Sequence, residues 1–315
     1  MLNVKVPILK ISYVLPNTSQ NTSKEVVEGK RGGLSDRRKK AIEYGNKTNV
    51  DFKLVEIPAD FIKNQNEADL TRLNEGDPIS EETVERLYKK EGDIDIKGIG
   101  YILHTEPQNR PRNRLRWIDK DFREEYANAL IAVSKRFNNI PPNMIEMHPG
   151  LKRHSSKEGI IETMKCFIDK YYEEFGFKPV IVIENRTDQI ISVGSEIKEF
   201  WDYLGDNDPE LKDQVGVALD VSQLFTMFKR EKDDLDFYDE LSQVPKESVK
   251  EFHIHFKHSA PGTTEKDIIP WFEVFKFIKS INREEIIINP EVLSDGNIEK
   301  TVNFVEQRLK TTVTE

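Results

Sequence analysis

Cysteine is almost missing from this 315-residue chain, in which Cys166 is the only one. A single thiol excludes an intramolecular disulfide framework and favours a reducing, cytoplasmic location. Long hydrophobic runs are also missing, since no stretch approaches the ~18–20 apolar residues of a membrane-spanning helix. The first residues, MLNVKVPILKIS, show no secretory cleavage pattern. We therefore expect a cytoplasmic protein with no membrane partner.

Positive charge is in deficit, with 47 Lys and Arg against 56 Asp and Glu, and a net charge of −9. This balance argues against a generally basic nucleic-acid-binding surface but leaves a local basic track open. Glycine (16) and proline (15) are too few for a collagen-like or low-complexity chain, and 37% hydrophobic residues are enough for a sizeable core. The length fits one large domain or two small ones.

Short β-branched runs recur along the whole chain, and each is followed by a helical pattern. The runs are 9–14, 52–57, 98–104, 144–148, 180–184, 216–220, 252–256 and 286–291. Amphipathic stretches between them, such as 119–137, 158–175 and 268–281, carry apolar residues at three- and four-residue spacing. Near-continuous apolar strands alternating with helices indicate parallel strands covered by helices.

Eight such units predict an α/β fold, a (β/α)8 TIM barrel with outer helices, in a single domain spanning residues 1–315. The strands should end near residues 14, 57, 104, 148, 184, 220, 255 and 291. An open doubly wound sheet is the alternative, but the first strand lacks the glycine-rich dinucleotide fingerprint. Residues 310–315 are expected to form a frayed tail.

Ionisable residues collect at the predicted strand ends, where barrel enzymes place their chemistry. Five of the six histidines lie there, namely His104, His148, His253, His255 and His258, and so do three acidic residues, Glu184, Asp220 and Glu291. Imidazole and carboxylate are ligands that borderline divalent metals prefer. A network of mutually satisfied polar residues is the alternative. His253 and His255 share a strand face, so one is expected to bind metal and the other to orient it, contact substrate or lie nearer the barrel interior.

Six segments in chain order carry a family resemblance. These are His104, MHPG (147–150), IENRTDQIISVG (183–194), GVALDVSQLF (216–225), Phe252-His253 and Glu291. Over roughly residues 98–295, the sequence resembles the endonuclease IV branch of the xylose-isomerase-like barrel superfamily.

The resemblance implies two divalent metal ions, most simply zinc, with manganese or magnesium as alternatives. His104, His148 and Glu184 correspond to the ligands of the first ion. Glu184, Asp220, His253 and Glu291 correspond to those of the second, with Glu184 bridging. The implied reaction is metal-dependent hydrolysis of a phosphodiester in abasic or damaged DNA, with Glu184 and Glu291 as the catalytic carboxylates.

The chain departs from the family at its third metal. Gln223 stands where the family has a histidine, and the loop 258–267 lacks the family's Asp-x-His. We therefore expect a two-metal site, with His255, His258 and Gln223 beside the ligands or against substrate. The alternative is a metal-dependent sugar or sugar-phosphate isomerase or epimerase, because Glu184, Asp220, His253 and Glu291 also form the quartet of that branch. A binding role without catalysis is a third alternative.

Basic residues cluster in the segments that follow the first and third strands. The segment 106–116 holds Arg110, Arg112, Arg114 and Arg116, and KRGG and DRRKK lie within 30–40. Arginine pairs with phosphate in a bidentate manner, so these residues are expected to bind a DNA phosphate backbone or a phosphorylated sugar. A solvated surface of internal ion pairs is the alternative.

Overall fold

The strands form a closed parallel barrel in chain order, with β8 returning to pair with β1. The computed structural model describes residues 9–18, 33–59, 84–85, 88, 90–91, 98–105, 115–230 and 236–312. The strands are β1 (Lys10–Leu15), β2 (Phe52–Pro58), β3 (Gly100–His104), β4 (Met144–Met147), β5 (Val180–Glu184), β6 (Val215–Asp220), β7 (Val249–His253) and β8 (Glu285–Asn289). The predicted (β/α)8 barrel is confirmed.

Helices cover the outside of the barrel. Those within the described residues are α1 (Leu34–Thr48), α2 (Lys120–Arg136), α3 (Lys157–Phe175), α4 (Gly194–Asn207), α5 (Val221–Arg230), α6 (Phe237–Gln243), α7 (Trp271–Lys279) and α8 (Asp295–Thr311). Local signals set their ends: Ser156 caps α3 by accepting from the Gly159 backbone N–H, and Gly176 ends it in a left-handed conformation. No helix in these ranges is long and apolar enough to cross a membrane.

Most strand ends agree with the sequence, but β7 and β8 stop two residues early, at His253 and Asn289. Pro290 follows β8 and has no N–H to continue the ladder. After β7, the backbones of Phe256 and Ser259 pair with each other in a tight turn. His255 and Glu291 therefore lie just above the strands rather than in them.

The chain end differs in part from the expected frayed tail. Helix α8 continues to Thr311, and Thr312 is buried while its carbonyl accepts from the Lys279 ammonium. Residues 313–315 lie outside the described residues.

Two layers of side chains fill the barrel. An apolar floor consists of Val14, Leu54, Ile102, Met144, Val182 and Ala218. Because strand side chains alternate, the residue two positions later on each strand points into the barrel above this floor. On β2 to β6 those residues are Glu56, His104, Glu146, Glu184 and Asp220, all of them buried. The fold thus stacks a polar layer on an apolar one, and the polar layer faces the mouth.

Candidate metal centre

His104 is held in position at the end of β3 by a carboxylate from the neighbouring strand. Its Nδ1 lies 3.1 Å from Oε1 of Glu56 in a buried hydrogen bond, while its Nε2 lies 3.3 Å from Oε2 of Glu184. A carboxylate only accepts, so Nδ1 donates to Glu56 and Nε2 is the ring nitrogen that faces Glu184. This arrangement, with one ring nitrogen anchored and the other free, is typical of metal-binding histidines.

His148 repeats the arrangement at the end of β4. Its Nδ1 donates to the carbonyl of Thr105, and its Nε2 lies 2.6 Å from Oε2 of Glu184. The Trp117 indole donates to the His148 carbonyl at 2.8 Å and packs among aromatic side chains of the core. Both imidazoles therefore direct Nε2 at one carboxylate oxygen.

The converging atoms lack hydrogen-bond partners. Nε2 of His104, Nε2 of His148 and both oxygens of Glu184 are buried without one, although they lie close to each other. Buried polar atoms are normally hydrogen-bonded, and leaving several unpaired in one place is costly. A divalent cation would satisfy all of them, and two imidazoles with one carboxylate form a donor set that zinc accepts. The residues fit the first predicted metal, with ligand atoms within 4.8 Å of one another.

The second predicted group lies beside the first. Asp220, His253 and Glu291 offer ligand atoms within 4.8 Å of one another, and Nδ1 of His253 is 4.0 Å from Oε1 of Glu184. His255 also reaches this group, because its Nε2 is 3.3 Å from Oδ2 of Asp220 and 3.1 Å from Oε2 of Glu291. The structure brings together all six residues expected to bind metal, with both β7 imidazoles against Glu291.

Two motifs quoted for the family resemblance hold the rim in place. The Asp220 backbone N–H donates to Oδ1 of Asn185 at 2.8 Å, and the Asn185 amide donates back to the Asp220 carbonyl at 3.1 Å. The Ser192 hydroxyl bonds to the carbonyls of Arg186 and Gln189, both at 2.8 Å, and closes the loop after β5. The Glu-Asn pair thus joins the ends of β5 and β6.

The neighbouring imidazoles keep the Glu184 carboxylate ionised. Burial raises the pKa of Glu184, but His148 and His104 outweigh it and hold the pKa well below the usual range. Burial also opposes the imidazolium form of His104, yet the carboxylates of Glu146, Glu184 and Glu56 raise its pKa well above the usual value. The centre therefore has a strong electrostatic preference for positive charge.

His258 lies on a strained turn. It and Lys257 have φ angles of 57° and 49°, the left-handed region that residues other than glycine rarely adopt. The turn brings the His258 backbone N–H to Nδ1 of His255 at 2.9 Å and stacks the two rings at 4.7 Å. His258 Nδ1 lies 3.7 Å from Oε1 of Glu291. It is therefore next to the centre, as the sequence predicted.

Gln223 is held by a neighbouring loop. The Thr187 hydroxyl donates to its Oε1 at 2.6 Å, and the Gln223 backbone N–H donates to Oδ1 of Asp220 at 2.9 Å. The Gln223 side chain supports the loop after β5.

Sequence reasoning missed three buried carboxylates inside the barrel: Glu56, Glu146 and Glu251. Glu146 precedes His148 by two residues and Glu251 precedes His253 by two, so strand periodicity was the available signal. Burial, with Glu251 adding to it, raises the pKa of Glu146 to about 8. Arg186 was also missed, and its guanidinium lies 3.6 Å from Oε1 of Glu184.

The basic segments are only partly described. Arg110, Arg112 and Arg114 lie outside the described residues. Arg116 lies 3.8 Å from Asp119 and stacks over the Phe122 ring at 5.0 Å, so it faces the start of α2. In the segment after β1, Arg38 is buried and Lys40 pairs with Asp295 at 3.1 Å. Phosphate binding by these residues stays a prediction.

No protein-family model and no curated sequence matches the chain. Similar solved structures include an AP endonuclease of family 2 from Brucella melitensis, with 12% identity and a TM-score of 0.55 over 95% of this chain and 99% of that one. The structure of L-ribulose 3-epimerase has 11% sequence identity and a TM-score of 0.54, over 97% of this chain and 96% of that one. A xylose isomerase domain containing protein from Salmonella typhimurium LT2 has 10% sequence identity and a TM-score of 0.51, over 95% of this chain and 97% of that one. At this identity the likenesses establish the (β/α)8 barrel fold alone.

Proposed function

We propose that this protein is a metal-dependent phosphodiester hydrolase with two ions bridged by Glu184. The observation that carries the proposal is the pair of buried imidazoles, His104 and His148, which direct unpartnered Nε2 atoms at one oxygen of Glu184. A sugar isomerase of this superfamily needs only the quartet around one ion. Both activities occur on this fold, so the choice rests on these two histidines.

The bound ions would supply Lewis-acid charge and a lowered pKa for water between them. Glu184 is fully buried and holds its two oxygens toward different ligand groups, which suits a bridge. The side chain of Glu291 is 16% exposed at the mouth, so its carboxylate can reach substrate and accept a proton from the attacking water. His255 and His258 stand beside Glu291 and orient it.

The substrate in this proposal is a DNA phosphodiester at an abasic or damaged site. Arg110, Arg112 and Arg114 follow β3 in sequence, and the loops after barrel strands commonly carry substrate contacts. Guanidinium groups there would bind the phosphates that flank the reacting one. Arg186, close to Glu184, adds positive charge at the mouth itself. The acidic balance of the whole chain restricts this contact to the mouth.

The test is hydrolysis of a duplex oligonucleotide with one abasic site, measured with protein stripped of metal and then reloaded with zinc or manganese. Strand cleavage that returns with about two metal equivalents supports the proposal. An undamaged duplex of the same sequence is the control. Absence of cleavage in protein that holds two equivalents contradicts it.

The quartet of Glu184, Asp220, a β7 histidine and Glu291 favours a second candidate, sugar or sugar-phosphate isomerisation or epimerisation. In that reaction Glu184 and Glu291 would act as acid and base across a metal-held diol. His148→Ala separates the two functions, because the quartet is intact in that variant. Retained isomerisation of a ketose panel with a single bound ion would favour this candidate over the hydrolase.

A further inference from the structure

Glu251 occupies an unusual position on the floor of the barrel. Its Cα is in register with Ala218 on β6 and with Ile287 on β8, which belong to the apolar layer or pack against it. The side chain is fully buried, and both carboxylate oxygens lack a hydrogen-bond partner. A buried carboxylate with no compensation is strongly destabilising, so a positive charge must offset it.

Glu146 and His253 meet Glu251 in the interior. Nε2 of His253 lies 2.8 Å from Oε1 of Glu146 and 3.7 Å from Oε1 of Glu251. Despite these short separations, Nε2 and both oxygens of Glu146 are buried without a hydrogen-bond partner. The contacts therefore have the spacing of ligands around one ion but not the geometry of hydrogen bonds.

The other ring nitrogen of His253 fixes what Nε2 can do. Nδ1 forms a 3.3 Å hydrogen bond with Oε2 of Glu291, a carboxylate that only accepts, so Nδ1 carries the proton. Nε2 then faces two carboxylates, neither of which it meets in hydrogen-bond geometry. His104 and His148 are anchored at Nδ1 in the same way. Within the described residues, acceptors converge here and no hydrogen bond reaches them from a donor.

We infer that the barrel binds a further divalent cation at this level, with Glu146, Glu184 and His253 as its ligands. One ligand atom from each of the three lies within 4.8 Å of the other two. Two carboxylates and an imidazole suit zinc or manganese. Glu251, whose Oε1 lies 3.7 Å from Nε2 of His253, is the third carboxylate next to the ion. The inference deepens the proposed function, since Glu184 also binds the ion of His104 and His148.

In this arrangement His253, the last residue of β7, and His255, just beyond it, bind two different ions. With Nε2 of His253 directed into the interior, His255 is the imidazole available to Asp220 and Glu291 at the rim. Its Nε2 lies 3.3 Å and 3.1 Å from their carboxylates. The alternation of strand side chains, which puts Glu251, His253 and His255 on one face, thus spans two levels of the barrel.

The test uses crystals of the unaltered protein in excess zinc, with anomalous scattering recorded at the zinc edge. We expect a peak at each of the two rim groups, one among His104, His148 and Glu184 and one among Asp220, His255 and Glu291, and a further peak among Glu146, Glu184 and His253. Metal content per chain is then compared with Glu146→Gln, which should lose one equivalent and keep the peak at His104. Glu173→Gln, an exposed carboxylate on α3, is the matched control.

Each outcome decides the question. A full peak at His104 with none at Glu146 overturns the inference. If no peak appears at either place, the metal centre and the proposed function are both rejected. Both peaks without phosphodiester cleavage support the interior site and reject the hydrolase alone. If Glu146→Gln does not fold, the crystals of the unaltered protein decide.

Discussion

Nε2 of His148 lies 2.6 Å from Oε2 of Glu184, both are fully buried, and the contact is not a hydrogen bond. The His148 ring cannot turn away, because its Nδ1 is held by the Thr105 carbonyl. Oε2 of Glu184 also faces Nε2 of His104 at 3.3 Å. The fold therefore holds three ligand atoms together before any ion arrives, which reduces the cost of ordering them on binding.

Glu184→Gln should remove most of the bound metal. The amide keeps the size of the side chain but lacks the charge shared by the two ligand groups, and neutral amides are poor ligands for zinc-like metals. We expect at least one equivalent to be lost, with activity falling about 100-fold or more, as for loss of an essential electrostatic group. Metal analysis by mass spectrometry and the abasic-site assay measure both.

Glu173→Gln serves as the control, because Glu173 is exposed on α3, a helix on the outside of the barrel. A Glu184→Gln protein with full metal content would show that Glu184 does not bridge two ions.

The sequence predicts the rim of the barrel well and its interior poorly. His104, Glu184 and Asp220 each end an apolar run, so their place at the mouth follows from strand length alone. Glu146 and Glu251 stand inside strands, and only their two-residue offset from His148 and His253 indicates that they share an inward face. Periodicity gives the face of a strand but not the role of each residue on it, so it left open which of His253 and His255 lies nearer the interior.

Glu56→Gln should weaken metal binding without removing a ligand. Glu56 accepts from Nδ1 of His104 at 3.1 Å and thereby orients Nε2 toward Glu184. Loss of such a supporting carboxylate lowers metal affinity by about 10–100-fold. Competition with a zinc-binding dye gives the affinity, and circular dichroism confirms the fold. Unchanged affinity would mean that the negative charge of Glu56 is not needed to orient the ring.

Gly194→Ala should destabilise the fold without touching the centre. A Cβ at Gly194, the first residue of α4, would lie 1.7 Å from the backbone carbonyl oxygen of Glu240, which cannot move as a side chain can. Overpacking of this kind costs about 2–3 kcal/mol. Chemical denaturation measures the free energy of unfolding.

Gly296→Ala is the matched control, because a Cβ at this position in α8 meets nothing within 4 Å. Alanine in an exposed helix should raise stability by about 0.5–1 kcal/mol. Equal effects of the two changes would show that close packing is not the reason for glycine at 194.

Metal removal should lower stability even where no catalysis is measured. An ion that binds the folded chain alone stabilises it by about 2.7 kcal/mol at a free concentration 100 times its dissociation constant. Without it, the buried atoms around Glu184 stay unpartnered. We expect a chelator to lower the melting temperature and zinc to restore it, while magnesium, which prefers oxygen ligands, restores less. If neither the chelator nor zinc changes the melting temperature, the result would contradict a metal centre in the barrel.

Gln223→His should not create a further ion site near the loop after β5. The Gln223 side chain accepts a hydrogen bond from the Thr187 hydroxyl. One new imidazole cannot hold zinc alone, since structural and catalytic zinc sites use three or four protein ligands. The loop 258–267 supplies no Asp-x-His to complete the set. The variant should therefore bind the same number of ions as the unaltered protein, read by anomalous scattering from zinc-soaked crystals. A well-occupied peak between the introduced imidazole and His258 would show that His258 replaces the missing ligands, and it would make a three-metal endonuclease the better description.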